Sequence, residues 1–285
     1  MFGNEHTFTY EKEEIIMKKI VIVCFACLIV VSSVFLISGC SSSKSTNSKQ
    51  TTITISAAAS LTESLNKIVA NFEKTYPNVL VRVNYGASGA LRQQIEQGAK
   101  VDLFLPVSLK DLQTLESEKL IDPSKSEVFA KNILVLIVPK GNPLNIKGVD
   151  DLKREDVKRI AIGAVPSVPA GVYAKESMEK VGLFNELKDK FIYAKDVRQV
   201  LDYVNTSNVD AGFVYRTDAA IVKDVEIAST IPDLNHKPIE YYAAIINSSK
   251  NQDISTEFMK YLLDKDSQKI LSGYGFLPPK TSSEN

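Results

Sequence analysis

Residues 53–98 read ITISAAASLTESLNKIVANFEKTYPNVLVRVNYGASGALRQQIEQG, and this stretch decides the fold class. It predicts a strand over Ile53–Ala58, a helix over Ser60–Tyr76, a strand over Val79–Tyr85 and a helix over Ser88–Gly98. One face of the first helix carries the apolar residues Leu61, Leu65, Ile68, Val69 and Phe72. Alternation of this kind predicts an α/β architecture with mostly parallel sheets.

The same alternation continues to the end of the chain. Further strands are predicted near 101–105, 133–138, 160–162, 209–214 and 239–246, and further helices near 108–119, 170–182, 196–206 and 254–271. The 235 residues from position 51 onward exceed one common domain size, so we expect two lobes. No low-complexity linker separates them, which indicates that strands cross between the lobes. We place the first lobe at 51–132 and 241–285, and the second at 133–240.

Residues 1–39 differ from the rest of the chain. Basic residues at 17–19 precede an apolar run over 20–37, which ends in Ile-Ser-Gly-Cys at 37–40. This order is typical of an export signal, and its end resembles a bacterial lipobox. That resemblance implies that Cys40 becomes the first mature residue and carries lipid. The alternative is an uncleaved membrane anchor, since 18 apolar residues nearly suffice to span. Both alternatives leave the domain extracytoplasmic and tethered to the cell membrane.

The first 16 residues are polar and acidic and do not suit the front of an export signal, so a start at Met17 is an alternative. The segment at 40–50 is a Ser-rich linker between lipid and domain. The first 39 residues hold three of the 34 basic and four of the 34 acidic residues. The remainder therefore has 31 and 30, a net charge of +1. Nucleic acid is not expected as a partner. With Cys24 and Cys27 removed with the signal, only Cys40 remains, so we expect neither an intramolecular disulfide nor a thiolate metal site.

Neutral hydrogen-bond donors recur in five short segments. They are AAASLT at 57–62, GASGA at 86–90, VPAGVY at 168–173, DVR at 196–198 and GFVY at 212–215. Most of them stand where a predicted helix begins, and a helix start presents unpaired N–H groups and a positive partial charge. Such donors bind a dianion without requiring a proton on it. This favours transport of an oxyanion over chemistry on a substrate.

Two serines follow successive strands of the predicted sheet. Ser60 has capping-box spacing to Glu63, so it either caps the helix, donates to a ligand, or does both. Ser88 lies between Gly86 and Gly89, which form a tight turn or let the backbone approach a ligand. Parallel strands bring both corners to the carboxyl end of the sheet, where ligands prefer to bind.

Three further candidates each have an ordinary structural alternative. Ala170 follows Pro169 at a helix entry, and Val197 either offers its N–H or packs in the core behind Asp196, a good N-cap. Tyr215 ends a strand, where it either packs as an amphipathic edge residue or donates its O–H. The neighbouring arginines, Arg198 and Arg216, are expected to be solvated or ion-paired.

Taken together, the segments at 57–64, 86–108, 168–177, 196–201, 212–219 and 260–276 resemble the periplasmic molybdate-binding proteins of ABC transporters, in the same order over 51–278. The resemblance implies a two-lobed periplasmic-binding-protein fold of type II, with the ligand in the cleft between the lobes. It implies that Ser60 and Ser88 supply hydroxyl and nearby N–H groups, Ala170 and Val197 supply N–H groups, and Tyr215 supplies its phenol. These residues would hold molybdenum through the oxyanion, without direct metal coordination.

The function implied is capture of molybdate and tungstate for delivery to a membrane-embedded permease, by a monomer that needs no cofactor and is not an enzyme. A buried protonated phosphate would leave an O–H donor unpaired, which favours fully deprotonated anions. Sulfate is smaller than molybdate, so cavity size must separate them, whereas tungstate is nearly the same size.

Two alternatives stay open. The chain is either a binding protein for sulfate or another tetrahedral oxyanion, or a serine hydrolase. Residues 86–90 are not a G-x-S-x-G elbow, and a GK[ST] phosphate loop is also missing from 86–92. After removal of the signal, His236 is the only histidine, in a Pro-bounded loop, where we expect a turn or surface role.

Overall fold

The structure is a computed structural model that describes residues 50–279. The predicted export signal, Cys40 and the linker up to residue 49 lie outside the described residues. Across residues 50–279, none of the helices combines the length and the apolar character that a membrane crossing needs.

The strands of the described chain form two five-stranded sheets. The first sheet contains β1 (Thr51–Ala58), β2 (Val79–Gly86), β3 (Leu103–Leu105), β4 (Ile121–Lys131) and β10 (Glu240–Ile246), in the order β2–β1–β3–β10–β4. The second sheet contains β5 (Leu134–Pro139), β6 (Ile160–Gly163), β7 (Phe191–Ala194), β8 (Ala211–Tyr215) and β9 (Val225–Thr230), in the order β7–β6–β8–β5–β9. We call each sheet with the helices packed on it a lobe. The residue limits of the lobes given above stay a prediction.

The α/β class is confirmed, but the prediction of mostly parallel sheets is wrong. β1 pairs parallel with β2 and β3, and β6 pairs parallel with β7 and β8. By contrast β10 is antiparallel to β3 and β4, and β5 is antiparallel to β8 and β9. The reason is the path of the chain, because β4 leads directly into β5 of the second sheet and β10 later brings the chain back. The strands next to these crossovers therefore run against their neighbours.

The helices are α1 (Thr62–Thr75), α2 (Ser88–Glu96), α3 (Leu109–Ser117), α4 (Pro169–Lys180), α5 (Phe184–Leu187), α6 (Val197–Asn205), α7 (Arg216–Ala219), α8 (Gln252–Leu263) and α9 (Lys265–Gly273). The single helix predicted over 254–271 is instead two helices. They are separated at Asp264, whose carboxylate accepts a hydrogen bond from the Ser267 N–H at 2.7 Å and so caps α9.

Apolar burial holds each helix to its sheet. The face predicted for α1 is buried, with Leu65, Ile68 and Phe72 at most 1% exposed. Each such side chain stabilises the fold by roughly 1.5–3 kcal/mol relative to exposure. The largest buried cluster contains residues of both sheets, so the core is continuous across the crossovers.

Candidate anion-binding site

The five residues predicted from the sequence line one small cavity. Ser60, Ser88, Ala170, Val197 and Tyr215 all contribute to its wall, and each is at most 5% exposed. Ser60 and Ser88 come from the first lobe and the other three from the second, so the cavity lies between the lobes. Its volume is about 10 Å³, at the lower end of the room that one water molecule takes up.

The wall from the first lobe follows from the register of two strands. β1 and β2 are parallel, with Ala58 opposite Gly86, so the corners after them lie side by side. The prediction that Ser60 caps a helix is wrong, because Ser60 lies inside a 3₁₀ turn over Ala59–Leu61 that precedes α1. Its Oγ is instead 2.8 Å from the Tyr241 phenol oxygen.

Ser88 opens α2 and accepts a hydrogen bond from the protein. The Val107 N–H donates to the Ser88 Oγ at 3.1 Å. Because this bond occupies a lone pair of the oxygen, the hydroxyl proton stays free for another acceptor. Ser88 is 1% exposed, so bulk water does not supply that acceptor.

The wall from the second lobe is made of helix starts. α4 begins at Pro169 and α6 at Val197, so the N–H groups of Ala170 and Val197 belong to first turns and have no partner within their helices. The prediction that Asp196 caps α6 is confirmed, since its carboxylate accepts from the Gln199 N–H at 2.9 Å. That carboxylate belongs to the one charged residue lining the cavity.

A glycine brings the start of α4 against the end of β6. A Cβ on Gly171 would lie 2.0 Å from the Gly163 carbonyl oxygen, so any other residue would push the helix away from the strand. Gly171 therefore places the Ala170 N–H, one residue earlier, at the cavity.

Tyr215 has the least satisfied polar group of the site. Its phenol oxygen is buried and, among residues 50–279, has no hydrogen-bond partner. Burial raises the pKa of Tyr215 well above its usual range, so the group is a neutral O–H donor. A buried donor without an acceptor costs about 1–3 kcal/mol. Such a cost is expected where a ligand supplies the acceptor.

The charges near the cavity are paired with one another. Arg198 lies beside the Glu63 carboxylate, and its Nε is 3.0 Å from the Asp218 Oδ1, in agreement with the predicted ion pairing. Asp218 is fully buried, and burial raises its pKa to about 7 although Arg198 acts in the opposite direction. The other predicted arginine, Arg216, donates to the Gly275 carbonyl oxygen at 3.2 Å.

Sequence reasoning missed the residues behind Ser60. The Asn132 Nδ2 donates to the Tyr241 phenol oxygen at 3.1 Å and to the Thr217 Oγ1 at 2.9 Å. An isolated asparagine and a tyrosine within an apolar strand carry no motif. Their positions at the two crossovers became meaningful only with the fold.

Three contacts join the lobes around the cavity. The Gly89 N–H donates to the Ser167 carbonyl oxygen, and the Tyr173 phenol donates to the Val107 carbonyl oxygen, both at 3.0 Å. The third is the pair of Arg198 with Glu63. Gly89 was predicted to form a turn or to let a ligand approach. In the structure it makes room for the other lobe, since a Cβ on it would lie 2.8 Å from the Ser167 backbone.

The residue types at the cavity do not suit a metal ion. Within residues 50–279, no group of three or more His, Cys, Asp or Glu side chains is placed to hold one. His236 lies in the loop before β10, where its Nδ1 is 2.8 Å from the Lys237 carbonyl oxygen. The cavity therefore offers hydroxyl and N–H donors, which suit an oxyanion.

The chain is similar to proteins that bind solutes outside the cytoplasm. A family model described as bacterial extracellular solute-binding protein matches residues 53–277. The "Putative ABC transporter substrate-binding lipoprotein YvgL" of Bacillus subtilis is 41% identical, over 85% of this chain and 93% of that protein. "Molybdate-binding protein ModA" of Haemophilus influenzae is 34% identical, over 86% of this chain and 96% of that protein.

A solved structure agrees with these relatives. It is titled "substrate binding domain of putative molybdenum ABC transporter from Clostridium difficile" and is 40% identical, with a TM-score of 0.64. The match covers 81% of this chain and all of that one. Together with the two mixed sheets, these likenesses confirm the predicted two-lobed type II fold.

Proposed function

This chain belongs to the bacterial extracellular solute-binding proteins, and from that premise we propose that it captures molybdate and passes it to the permease of an ABC transporter. The matching relatives are named as binding proteins and not as enzymes. The anion is proposed to bind in the cavity lined by Ser60, Ser88, Ala170, Val197 and Tyr215. We propose that the protein works as a monomer and needs no cofactor.

The observation that carries the proposal is the free phenol of Tyr215, in the same cavity as two serines. Within the described residues no acceptor is found for its proton, and the Ser88 oxygen already accepts from the Val107 N–H. The cavity therefore presents donors whose protons have no acceptor in the protein. A fully deprotonated oxyanion supplies acceptors only, so it matches this wall.

The energy of binding comes from several moderate contributions. Each hydrogen bond to a charged oxygen contributes about 1.5–3 kcal/mol net. The starts of α4 and α6 add roughly 0.3–1 kcal/mol each through their partial positive charge. A phosphate that keeps a proton would bring a further donor to this wall of donors and leave it unpaired, so we expect the site to reject it.

Size must separate molybdate from sulfate. The names of the relatives favour molybdate. A cavity of about 10 Å³ is smaller than either anion, so its walls must move outward to admit one. Tungstate is nearly the same size as molybdate, and we expect weak discrimination between those two. The small cavity keeps sulfate as the second candidate, because it needs the smaller movement.

A serine hydrolase is the weaker alternative on chemical grounds. An activated serine donates its proton to a nearby base. In the described chain the Ser60 Oγ contacts the Tyr241 phenol, and the Ser88 Oγ accepts from the Val107 N–H. Neither contact is with a base, so nothing here would activate either oxygen.

We also propose that Cys40 is lipidated and anchors the domain at the outer face of the cell membrane. Support comes from the lipobox-like Ile37-Ser38-Gly39-Cys40 and from a relative whose name includes "lipoprotein". Labelling of cells with a palmitate analogue should mark the wild-type chain and leave a Cys40→Ala variant unmarked. Labelling of both would refute lipidation at this residue.

Calorimetric titration of the full chain in detergent tests the proposed function. Molybdate, tungstate, sulfate and phosphate are added separately. We expect tight binding of molybdate and tungstate with weak binding of the other two. Tight binding of sulfate alone would transfer the function to sulfate uptake, and absence of binding to all four would refute an anion site.

A further inference from the structure

We infer that Asn132 and Tyr241 fix Ser60 as a hydrogen-bond donor toward the bound anion, and that they thereby help the site to reject oxyanions that keep a proton. Both are positioning residues, which act on the ligand through Ser60. The inference deepens the proposed function and rests on it.

The orientation of the Asn132 amide is set by the backbone. Its Oδ1 accepts from the Ile133 N–H at 2.9 Å, so the oxygen and nitrogen cannot be exchanged without placing two donors face to face. The Nδ2 must then point toward Thr217 and Tyr241, where it is 2.9 Å from the Thr217 Oγ1 and 3.1 Å from the Tyr241 phenol oxygen. An amide NH₂ group only donates, so the Tyr241 oxygen accepts this bond.

The Tyr241 proton then has one acceptor. The phenol contacts Asn132, which cannot accept, and the Ser60 Oγ at 2.8 Å. Burial raises the pKa of Tyr241, so the phenol stays protonated. The proton therefore lies between Tyr241 and Ser60, and Tyr241 donates to Ser60.

Ser60 is consequently left with a proton and no acceptor among the described residues other than a ligand. If Ser60 donated to Tyr241 instead, the phenol would accept twice and its own buried proton would be unpaired, at a cost. The chain of donors runs from the Ile133 backbone through Asn132 and Tyr241 to Ser60. It ends at the cavity, where Ser60 is 3% exposed.

This polarity bears on specificity. A protonated oxyanion that donated to Ser60 would leave the Ser60 proton without an acceptor. It would therefore have to place its own proton elsewhere in a wall of donors. Removing the Tyr241 hydroxyl should let Ser60 turn and accept such a proton. Binding of a deprotonated anion should weaken, and binding of a protonated one should weaken less or improve.

The test uses the full chain in detergent and two tyrosine variants. Tyr241→Phe removes one hydroxyl and keeps the ring, which packs edge to face against Phe276 with centroids 5.2 Å apart. Tyr242→Phe is the matched control, because its hydroxyl, on the next residue of β10, donates to the Glu240 carboxylate at 2.8 Å. Affinities for molybdate and for inorganic phosphate are measured at mildly alkaline pH, where phosphate keeps one proton. Melting temperatures show that each variant is folded.

We expect Tyr241→Phe to weaken molybdate binding about three- to tenfold and to lower the preference for molybdate over phosphate by at least about threefold. Tyr242→Phe should change neither quantity. A merely structural effect would weaken both anions alike and leave the preference unchanged, and that outcome would overturn the inference.

A double-mutant cycle asks whether Tyr241 acts through Ser60. In a Ser60→Ala background, Tyr241→Phe should change molybdate affinity by less than about twofold. Equal effects of Tyr241→Phe with and without Ser60 would refute the relay and leave the proposed function standing. If the wild-type chain binds no oxyanion, the proposed function and this inference fail together.

Discussion

Tyr215 and Ser88 differ in what the protein already gives to their hydroxyl oxygens. Ser88 accepts a backbone hydrogen bond, whereas Tyr215 has no partner within residues 50–279. Removing the Ser88 hydroxyl therefore orphans the Val107 N–H, while removing the Tyr215 hydroxyl orphans nothing. Tyr215 is for this reason the cleaner position at which to separate binding from stability.

The first prediction is that Tyr215→Phe weakens molybdate binding and does not destabilise the protein. Loss of one bond to a charged oxygen, about 1.5–3 kcal/mol, should raise the Kd by roughly 10- to 150-fold. The free energy of unfolding without anion should stay the same or rise, since a buried unpaired group is removed. Calorimetry and denaturant unfolding measure the two quantities. A variant that keeps its affinity would exclude the phenol as a ligand.

The second prediction concerns Asp218 and pH. Burial raises its pKa to about 7 against Arg198, while Glu63 and Asp196 nearby raise it further. In the unfolded chain the pKa is about 3.9. Between these values the folded protein holds a proton that the unfolded chain has lost. Stability from this group is therefore full below about pH 4 and is lost as pH rises through 7.

Asp218→Asn removes this dependence, since the amide does not titrate. The unfolding free energy of the wild type should fall relative to the variant between about pH 4 and 7, by at most about 1.4 kcal/mol per pH unit. Denaturant unfolding of both proteins across this range measures the difference. A difference that does not change with pH would show that Asp218 keeps its charge throughout.

At the residue scale the sequence was informative where a residue belongs to a helix start. Ser88, Ala170 and Val197 lie next to turn or capping signals, and these signals placed them correctly at one cavity. Ser60 was found for a wrong reason, since it caps nothing. Asn132 and Tyr241 are 109 positions apart, and their hydrogen bond depends on two crossovers that local patterns do not encode.

At the element scale, contact between the start of α2 and the turn before α4 decides how closely the lobes meet. The third prediction is that Gly89→Ala weakens molybdate binding by about tenfold or more. The added methyl group would lie 2.8 Å from the Ser167 backbone and hold the lobes apart. Helix stability should not suffer, because alanine is favoured over glycine within helices by roughly 0.5–1 kcal/mol.

Gly273→Ala is the control for this variant. It adds the same methyl group within α9, where nothing lies within 4 Å of the new atom. Its affinity for molybdate, measured by calorimetry, should equal that of the wild type. Unchanged affinity in Gly89→Ala as well would mean that the lobes do not need this contact to enclose the anion.

The elements that the sequence failed to predict share a physical reason. β4 contains Pro123 and several charged residues, and β9 is half exposed, so neither shows a clear apolar pattern. β7 has only four residues. Their pairing depends on neighbours far away in the chain. The long apolar strands and amphipathic helices, whose burial is set locally, were predicted close to their observed limits.

On the scale of the whole molecule, Val107 connects closure of the lobes to the site. Its N–H donates to Ser88 in the cavity, and its carbonyl oxygen accepts from Tyr173 of the other lobe at 3.0 Å. A bond that forms only when the lobes meet should slow release of the anion more than it speeds capture.

The fourth prediction is that Tyr173→Phe raises the dissociation rate of molybdate about two- to tenfold, as expected for loss of one neutral hydrogen bond. The association rate should stay close to that of the wild type. Stopped-flow displacement with tungstate measures both rates. Tyr193→Phe, at an exposed tyrosine of the same lobe, is the control. An unchanged dissociation rate in Tyr173→Phe would separate this contact from closure.

The central claim is that a deprotonated oxyanion is held by neutral donors between the lobes, and anomalous diffraction at the molybdenum edge tests it most directly. Crystals grown with molybdate should show one molybdenum peak in the cavity. Its oxygens should lie about 2.5–3.2 Å from the hydroxyls of Ser60, Ser88 and Tyr215. A peak elsewhere, for example in the groove lined by Lys67, Lys74 and Lys269, or no peak at all, would contradict the account.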